Sequence, residues 1–150
     1  MNRFLLISVL CGVSLPLWAM GDGMTRVQSA FSVTETLDRL ESMLQRNGLT
    51  VFARIDHRAG AERVDLSIPD TQVLVFGNPR VGTRLMQCAP SVAIDLPLKA
   101  LSWQDPAGQV WLAYNTSAYL KQRHRIKGCD SILSNMTQGL RTWATKAVTP

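Results

Sequence analysis

The chain contains no C-x-x-C, no H-x-x-x-H and no methionine repeat, and it has only 3 cysteines and 2 histidines. Those spacings are the usual ones with which thiolates, imidazoles and thioethers close around a metal ion. Neither a metal nor a cofactor is therefore expected. No serine stands in a G-x-S-x-G elbow, and no pair of acids has glycosidase character. A phosphate-binding loop is missing too. The stretch "VLVFGNPRVGTRLM" (73–86) comes near one, since Gly77 and Gly82 are five apart and Thr83 follows. Thr83 stands where the loop needs the lysine that reaches the outer phosphates, and Arg84 comes one place later. Pro79 also removes a backbone donor from the turn that would cradle them. No nucleotide is expected at this loop.

Long apolar runs are equally scarce. One, Phe4 to Trp18, follows a single positive residue, Arg3, and leads to small residues at Ala19 and Gly21. That layout is a secretory signal peptide over residues 1–21, with cleavage after Ala19 or Gly21. An uncleaved anchor is the alternative, but the run is about 15 residues where a spanning helix needs roughly 20. Cys11 does not make it a lipoprotein leader, because Leu10 precedes it where a small residue is needed. The chain reads as exported to the periplasm, with no stable membrane anchor after cleavage.

Cleavage after Ala19 leaves 131 of the 150 residues, enough for one domain, 22–150, with a core of its own. Arg3 leaves with the leader, so 16 basic residues against 11 acidic become 15 against 11, a net charge of +4. The one dense basic run, "KQRHRIK" (121–127), reads as a solvated helix end or loop, and export makes nucleic acid an unsuitable partner. Cys88 and Cys129 remain, an even number in an oxidising compartment and 41 positions apart. They are expected to form a disulfide. The competing reading is a soft-metal site built from Cys88, Met86 and His57.

Periodicity organises the rest. "TRVQSAF" (25–31) reads as a strand. Ser32 and Glu35 form a capping box that opens a helix with Val33, Leu37, Leu40 and Leu44 on one face, and Gly48 closes it. "LTVFARID" (49–56) alternates as a strand, "HRAGAERVD" makes a turn or two of helix, and "TQVLVFG" (71–77) reads as a strand buried on both faces. A helix over 81–89 is interrupted at Pro90 and resumes before Pro97. Strands 99–103 and 109–114 flank a turn at Asp105 to Gly108, with Trp103 and Trp111 as a cross-strand pair. "SAYLKQRH" makes a short helix, and a last helix starts near Ser131. The order gives an α+β domain: two layers, with helices packed on a mostly antiparallel sheet.

Four ordered stretches, "ARIDHRAGA" (53–61), "VLVFGNPRVGTRLMQCAP" (73–90), "AIDLPLKAL" (93–101) and "VWLAYN" (110–115), resemble the domain-of-unknown-function 302 family. The resemblance runs from about Thr36 to His124. It implies a compact, dimeric α+β domain similar to a small Thermus protein of known structure, and it implies no activity. Cys88 stands where the family pattern has a small residue and Cys129 lies beyond the matched stretch, which favours a bridge added in exported members.

The candidate ligand-binding residues are Asp56, His57, Asn78, Asp95 and Tyr114. Asp56 and His57 end a strand, where polar side chains project over a cleft and a carboxylate can orient an imidazole. The plainer alternative is that Asp56 caps the next helical turn. Asn78 follows an apolar strand, and its plainer role is to satisfy the next helix's N-terminus. Asp95 lies in an apolar stretch and needs a donor, for which His57 or Arg54 is expected. Tyr114 ends the hairpin. If the two strand ends run parallel, His57, Asn78 and Asp95 meet on one rim. The functional reading is a non-catalytic ligand-binding or homodimeric assembly module. The alternative is a periplasmic enzyme or metal/redox protein using Asp56, His57 and Cys88.

Overall fold

The structure, a computed structural model, describes residues 22–150; the expected leader lies outside the described residues. β1 (Met24–Ser29) leads into α1 (Val33–Arg46), β2 (Thr50–Asp56), α2 (His57–Glu62), β3 (Thr71–Gly77) and α3 (Pro79–Cys88). A 3₁₀ turn (Pro90–Ile94) precedes the hairpin of β4 (Leu98–Gln104) and β5 (Val110–Asn115), and α4 (Ser117–His124) and α5 (Asp130–Val148) follow. The five strands form one sheet in the order β1-β5-β4-β3-β2, and every neighbouring pair is antiparallel. This is the expected α+β architecture.

Local chemistry explains the elements. The Ser32 side chain accepts from the Glu35 backbone N–H at 3.2 Å, which satisfies one of the donors a helix start leaves free. Val33, Leu37, Leu40 and Leu44 are all buried. Gly48 stops α1 in the left-handed region, at φ +73°, where a side chain would be strained. At the next helix but one, the Asn78 side chain caps the start of α3 and Pro79 occupies its first position, so α3 begins two residues before the apolar pattern does.

The helices α1 and α5 cover one face of the sheet only. Leu37, Leu40 and Leu44 of α1 pack there with Leu74, Phe76, Ala100 and Leu112 of the sheet and Leu140 and Ala144 of α5. Gln72, Leu74 and Phe76 are therefore buried while Val73 and Val75 are half-buried, which corrects the expectation that β3 is buried on both faces. β2 is an edge strand, and its register shifts between Val51 and Ala53, so that Phe52 leaves the alternation and is 51% exposed. A second apolar cluster, with Leu85, Val92, Leu120, Ile126 and Leu133, lies under α3, the 3₁₀ turn and α4. The Cys88 and Cys129 sulfurs stand 1.97 Å apart beside it, linking the end of α3 to the start of α5.

The hairpin is as read from sequence. Trp103 and Trp111 are register partners, with ring centroids 6.5 Å apart. The Asp105 carboxylate accepts from the backbone N–H groups of Ala107 and Gln109 and from the Trp111 indole N–H, each at 2.9 Å. The indole bond, then the Gln109 bond, holds its pKa below the ordinary 3.8. A carboxyl lowered by folding stabilises the fold above its unfolded value and loses that contribution as pH falls through the folded one. In an NMR titration the Trp111 indole proton is expected to move with a midpoint below 3.8. A midpoint at or above that value would contradict the arrangement.

Candidate functional site

The end of β3, the first turns of α3 and the segment from the 3₁₀ turn to Pro97 do not close on α5 between Ile132 and Trp143. They leave a groove of about 630 Å³. Its walls are largely apolar, with Phe52, Val81, Met86, Leu96, Met136 and Trp143 among them. The groove exists partly because two wall positions lack side chains. A Cβ added at Gly82 would meet only Leu96 Cδ1, at 3.7 Å, and one at Gly77 would meet Pro97 Cβ at 3.6 Å. Both are ordinary contact distances. Thr83, Arg84 and Asn135 are the polar members of the rim. Asn78 belongs to the wall, but its side-chain oxygen accepts from Arg80 N–H at 3.0 Å and Val81 N–H at 3.3 Å. With those donors taken and none on Pro79, the start of α3 presents no cradle for a phosphate.

Behind the strap of residues 90–97 lies a polar line that the sequence did not reveal. The Asp95 carboxylate is 2.6 Å from His124 Nε2, His124 Nδ1 is 3.0 Å from the Ser91 hydroxyl, and Arg123 Nε is 3.5 Å from the same Asp95 oxygen. The His124 side chain is only 5% exposed and that of Asp95 14%. Serine, histidine and aspartate in this order are the members of a hydrolytic relay. Ser91, however, sits on an exposed turn outside the groove lining. The line acts instead as a clamp: both ring nitrogens of one buried imidazole on α4 hold two points of the strap. The available signal was spacing, since His124 follows buried Leu120 by one helical turn and so shares its inward face. The basic run around it disperses as expected of a helix end. Lys121 pairs with Asp130, and the Arg123 side chain donates to the Tyr119 hydroxyl at 2.6 Å.

The expected common rim of His57, Asn78 and Asp95 is not formed. β2 and β3 are antiparallel, so Asp56 pairs with Gln72 at the start of β3 whereas Asn78 follows its far end. Six strand residues separate the two ends by roughly 20 Å. Asp95 lies with Asn78's end of the sheet, because Leu98 pairs with Phe76. It hydrogen-bonds His124 and pairs in charge with Arg123, not with His57 or Arg54. Arg54 is committed to α1 and β3, donating to Gln72 at 2.9 Å and the Thr34 carbonyl at 3.0 Å. The Asp56 side chain accepts from Ala59 N–H at 2.9 Å and caps α2, with His57 exposed as the first helical residue. Tyr114 stands opposite Thr25 and Ala100 on the helix-covered side of the sheet. Cys88 is committed to Cys129, so it offers no thiolate beside Asp56 and His57. Among the described residues no group of three histidine, cysteine or acidic side chains is placed to hold a metal ion, and no helix is long and apolar enough to cross a membrane.

Comparison with known proteins bears on this geometry. The family described as "Domain of unknown function DUF302" matches residues 25–142. A "Fluoride-specific ion channel FluC 1" of Brucella suis biovar 1 is 44% identical over 121 residues, covering 80% of this chain and 48% of that protein. A "Fluoride-specific ion channel FluC 2" of Brucella melitensis biotype 1 is 44% identical over 121 residues, covering 80% and 45%. The chain thus spans about half the length of the curated relatives it matches. Among solved structures, an uncharacterized conserved DUF302 protein from Bacillus stearothermophilus superposes with a TM-score of 0.75 at 18% identity, covering 84% of this chain and 98% of that one. At that identity the likeness is one of fold, and it is to a Bacillus protein where the resemblance pointed to a Thermus one. With most of its length matched by the family, the chain belongs to the DUF302 family.

Proposed function

We propose that this chain is an exported, periplasmic, non-catalytic ligand-binding domain, and that its ligand is an apolar or amphiphilic small molecule seated in the groove beside the 90–97 strap. The observation that carries the reading is the groove itself. Its volume of about 630 Å³ falls within the roughly 300–1,000 Å³ usual for small-molecule sites, and its walls are apolar with a few polar groups at the rim. Of the residues singled out in the sequence, Asn78 shapes the wall and Asp95 holds the strap. Asp56, His57 and Tyr114 have no part in it. The leader over residues 1–21 directs export and is removed after Ala19 or Gly21.

The domain works as a homodimer in this reading, without nucleic acid or nucleotide as partner. The uncovered sheet face supports that assembly. Trp103 and Trp111 share that face with Val73, Val75 and Leu101, and Ile55 on the edge strand is 45% exposed. Sedimentation equilibrium at micromolar protein should read twice the chain mass, and a monomer mass would remove the assembly from the reading. The channel name of the Brucella relatives describes proteins of which a domain like this is about half, and ion conduction is not part of the proposal.

The test uses 1-N-phenylnaphthylamine, an apolar probe that fluoresces when shielded from water, with wild type and Gly82→Leu. The wild type should bind it saturably. Leucine at position 82 fills the groove from a helical backbone that accepts it, and removing a mid-helix glycine should leave stability equal or raise it by up to about 1 kcal/mol. Binding should fall at least tenfold while the melting temperature holds or rises. A Gly82→Leu protein that binds the probe like wild type would sink the groove as the site.

A further inference from the structure

A second cavity, of about 320 Å³, lies between the edge strand β1, the end of β5 and the middle of α5, with the start of α4 at one end. It shares no lining residue with the groove. Thr25 and Tyr114 face one another across the β1–β5 pairing, and Arg141 and Thr145 lie one turn apart on α5. Three further hydroxyls at this site are already engaged: Thr137 donates to the Leu133 carbonyl at 2.9 Å, Ser117 pairs with Thr137, and Thr116 accepts from the Tyr119 backbone N–H at 3.1 Å. The hydroxyls of Thr25, Tyr114 and Thr145 and the Arg141 guanidinium bond to no other side chain or carbonyl among the described residues; Arg141 and Thr145 are exposed to solvent, and Thr25 and Tyr114 are half-buried. No carboxylate lines the cavity.

A guanidinium donates and never accepts, and it stays charged at any ordinary pH. Three free hydroxyls beside it can each turn a proton inward. Such a set offers donors, and no built-in acceptor, to an anion that displaces water from it. The rest of the wall, including Val27, Leu140 and Ala144, is apolar, which suits a short hydrocarbon tail better than a phosphate or sulfate. We propose that this cavity binds a small organic carboxylate. Its carboxylate group is held by Arg141 and by the hydroxyls of Tyr114, Thr25 and Thr145, and its tail lies on the apolar wall. This site stands whether or not the groove takes a ligand.

The experiment is a two-dimensional amide NMR titration of the full protein at neutral pH with sodium propionate and, separately, with propionamide, its neutral isostere. Propionate should shift the Thr25, Tyr114 and Arg141 amides saturably, and propionamide should bind at least tenfold more weakly. Arg141→Leu should weaken propionate at least tenfold, the loss of one charge-assisted contact. Should Arg141→Leu disturb α5, Arg141→Lys keeps the charge and should retain the preference for propionate. Equal binding of propionate and propionamide would overturn the proposal. So would wild-type affinity in Arg141→Leu, or shifts confined to other parts of the fold.

Discussion

Replacing Cys88 and Cys129 together by serine is expected to lower the free energy of unfolding by about 4 kcal/mol. The expectation rests on chain entropy. The bridge closes a loop across a sequence separation of 41, and a cross-link of that span removes much of the freedom of the unfolded chain. Its position adds a local effect. Cys129 is buried in the apolar cluster that also holds Leu85, Val92 and Leu133, so a serine there sets a hydroxyl among hydrocarbon. The bridge also fixes the end of α3, whose earlier turns form one wall of the groove, so the double variant should bind apolar probes more weakly as well as unfold sooner. Urea unfolding of the oxidised wild type and the double variant measures the difference. A gap under about 1 kcal/mol would contradict the chain-entropy account of the bridge.

Asp95→Ala should cost about 1–3 kcal/mol, the usual penalty for leaving a buried partner unsatisfied. His124 would keep Ser91 on Nδ1 and lose the acceptor on Nε2, inside a site from which water is largely excluded. Arg123 would lose its nearest carboxylate at the same time, but it is half exposed and its share is small. The strap then has one anchor instead of two. Faster amide exchange over residues 90–97, with exchange in α1 unchanged, would show that the lost energy is local to the strap. Equal protection of the strap in both proteins would contradict the clamp.

Where pattern and packing agree, the sequence was readable. The α1 stripe, its cap at Ser32 and its stop at Gly48 each depend on neighbours in the chain, and all are present in the fold. The same is true of the hairpin, whose turn residues sit between two strands, β4 and β5, that pair with each other across a short connection. Burial of β3 was misjudged because Val73 and Val75 are as apolar as Leu74 and Phe76, and nothing local says that helices cover only one face. The common rim of His57, Asn78 and Asp95 failed for a related reason. The connection from Asp56 to Thr71 is long enough for a parallel crossover or an antiparallel return, and only the pairing of β2 with β3 decides between them. The most useful miss is the glycine pair. Gly77 and Gly82 resemble a phosphate loop that lacks its lysine, yet in the fold their missing side chains open an apolar groove.

The groove's occupancy can be read directly with methionines labelled at the ¹³C-methyl group. Met86 and Met136 line the groove, while Met43 packs against the main core and Met24 lies on β1. On titration with 1-N-phenylnaphthylamine the Met86 and Met136 methyl signals should shift saturably and together, with one dissociation constant, while Met43 and Met24 stay in place. Saturable binding that leaves Met86 and Met136 unmoved would put the ligand elsewhere, the open face around Trp103 and Trp111 first, and would contradict the groove as the functional site.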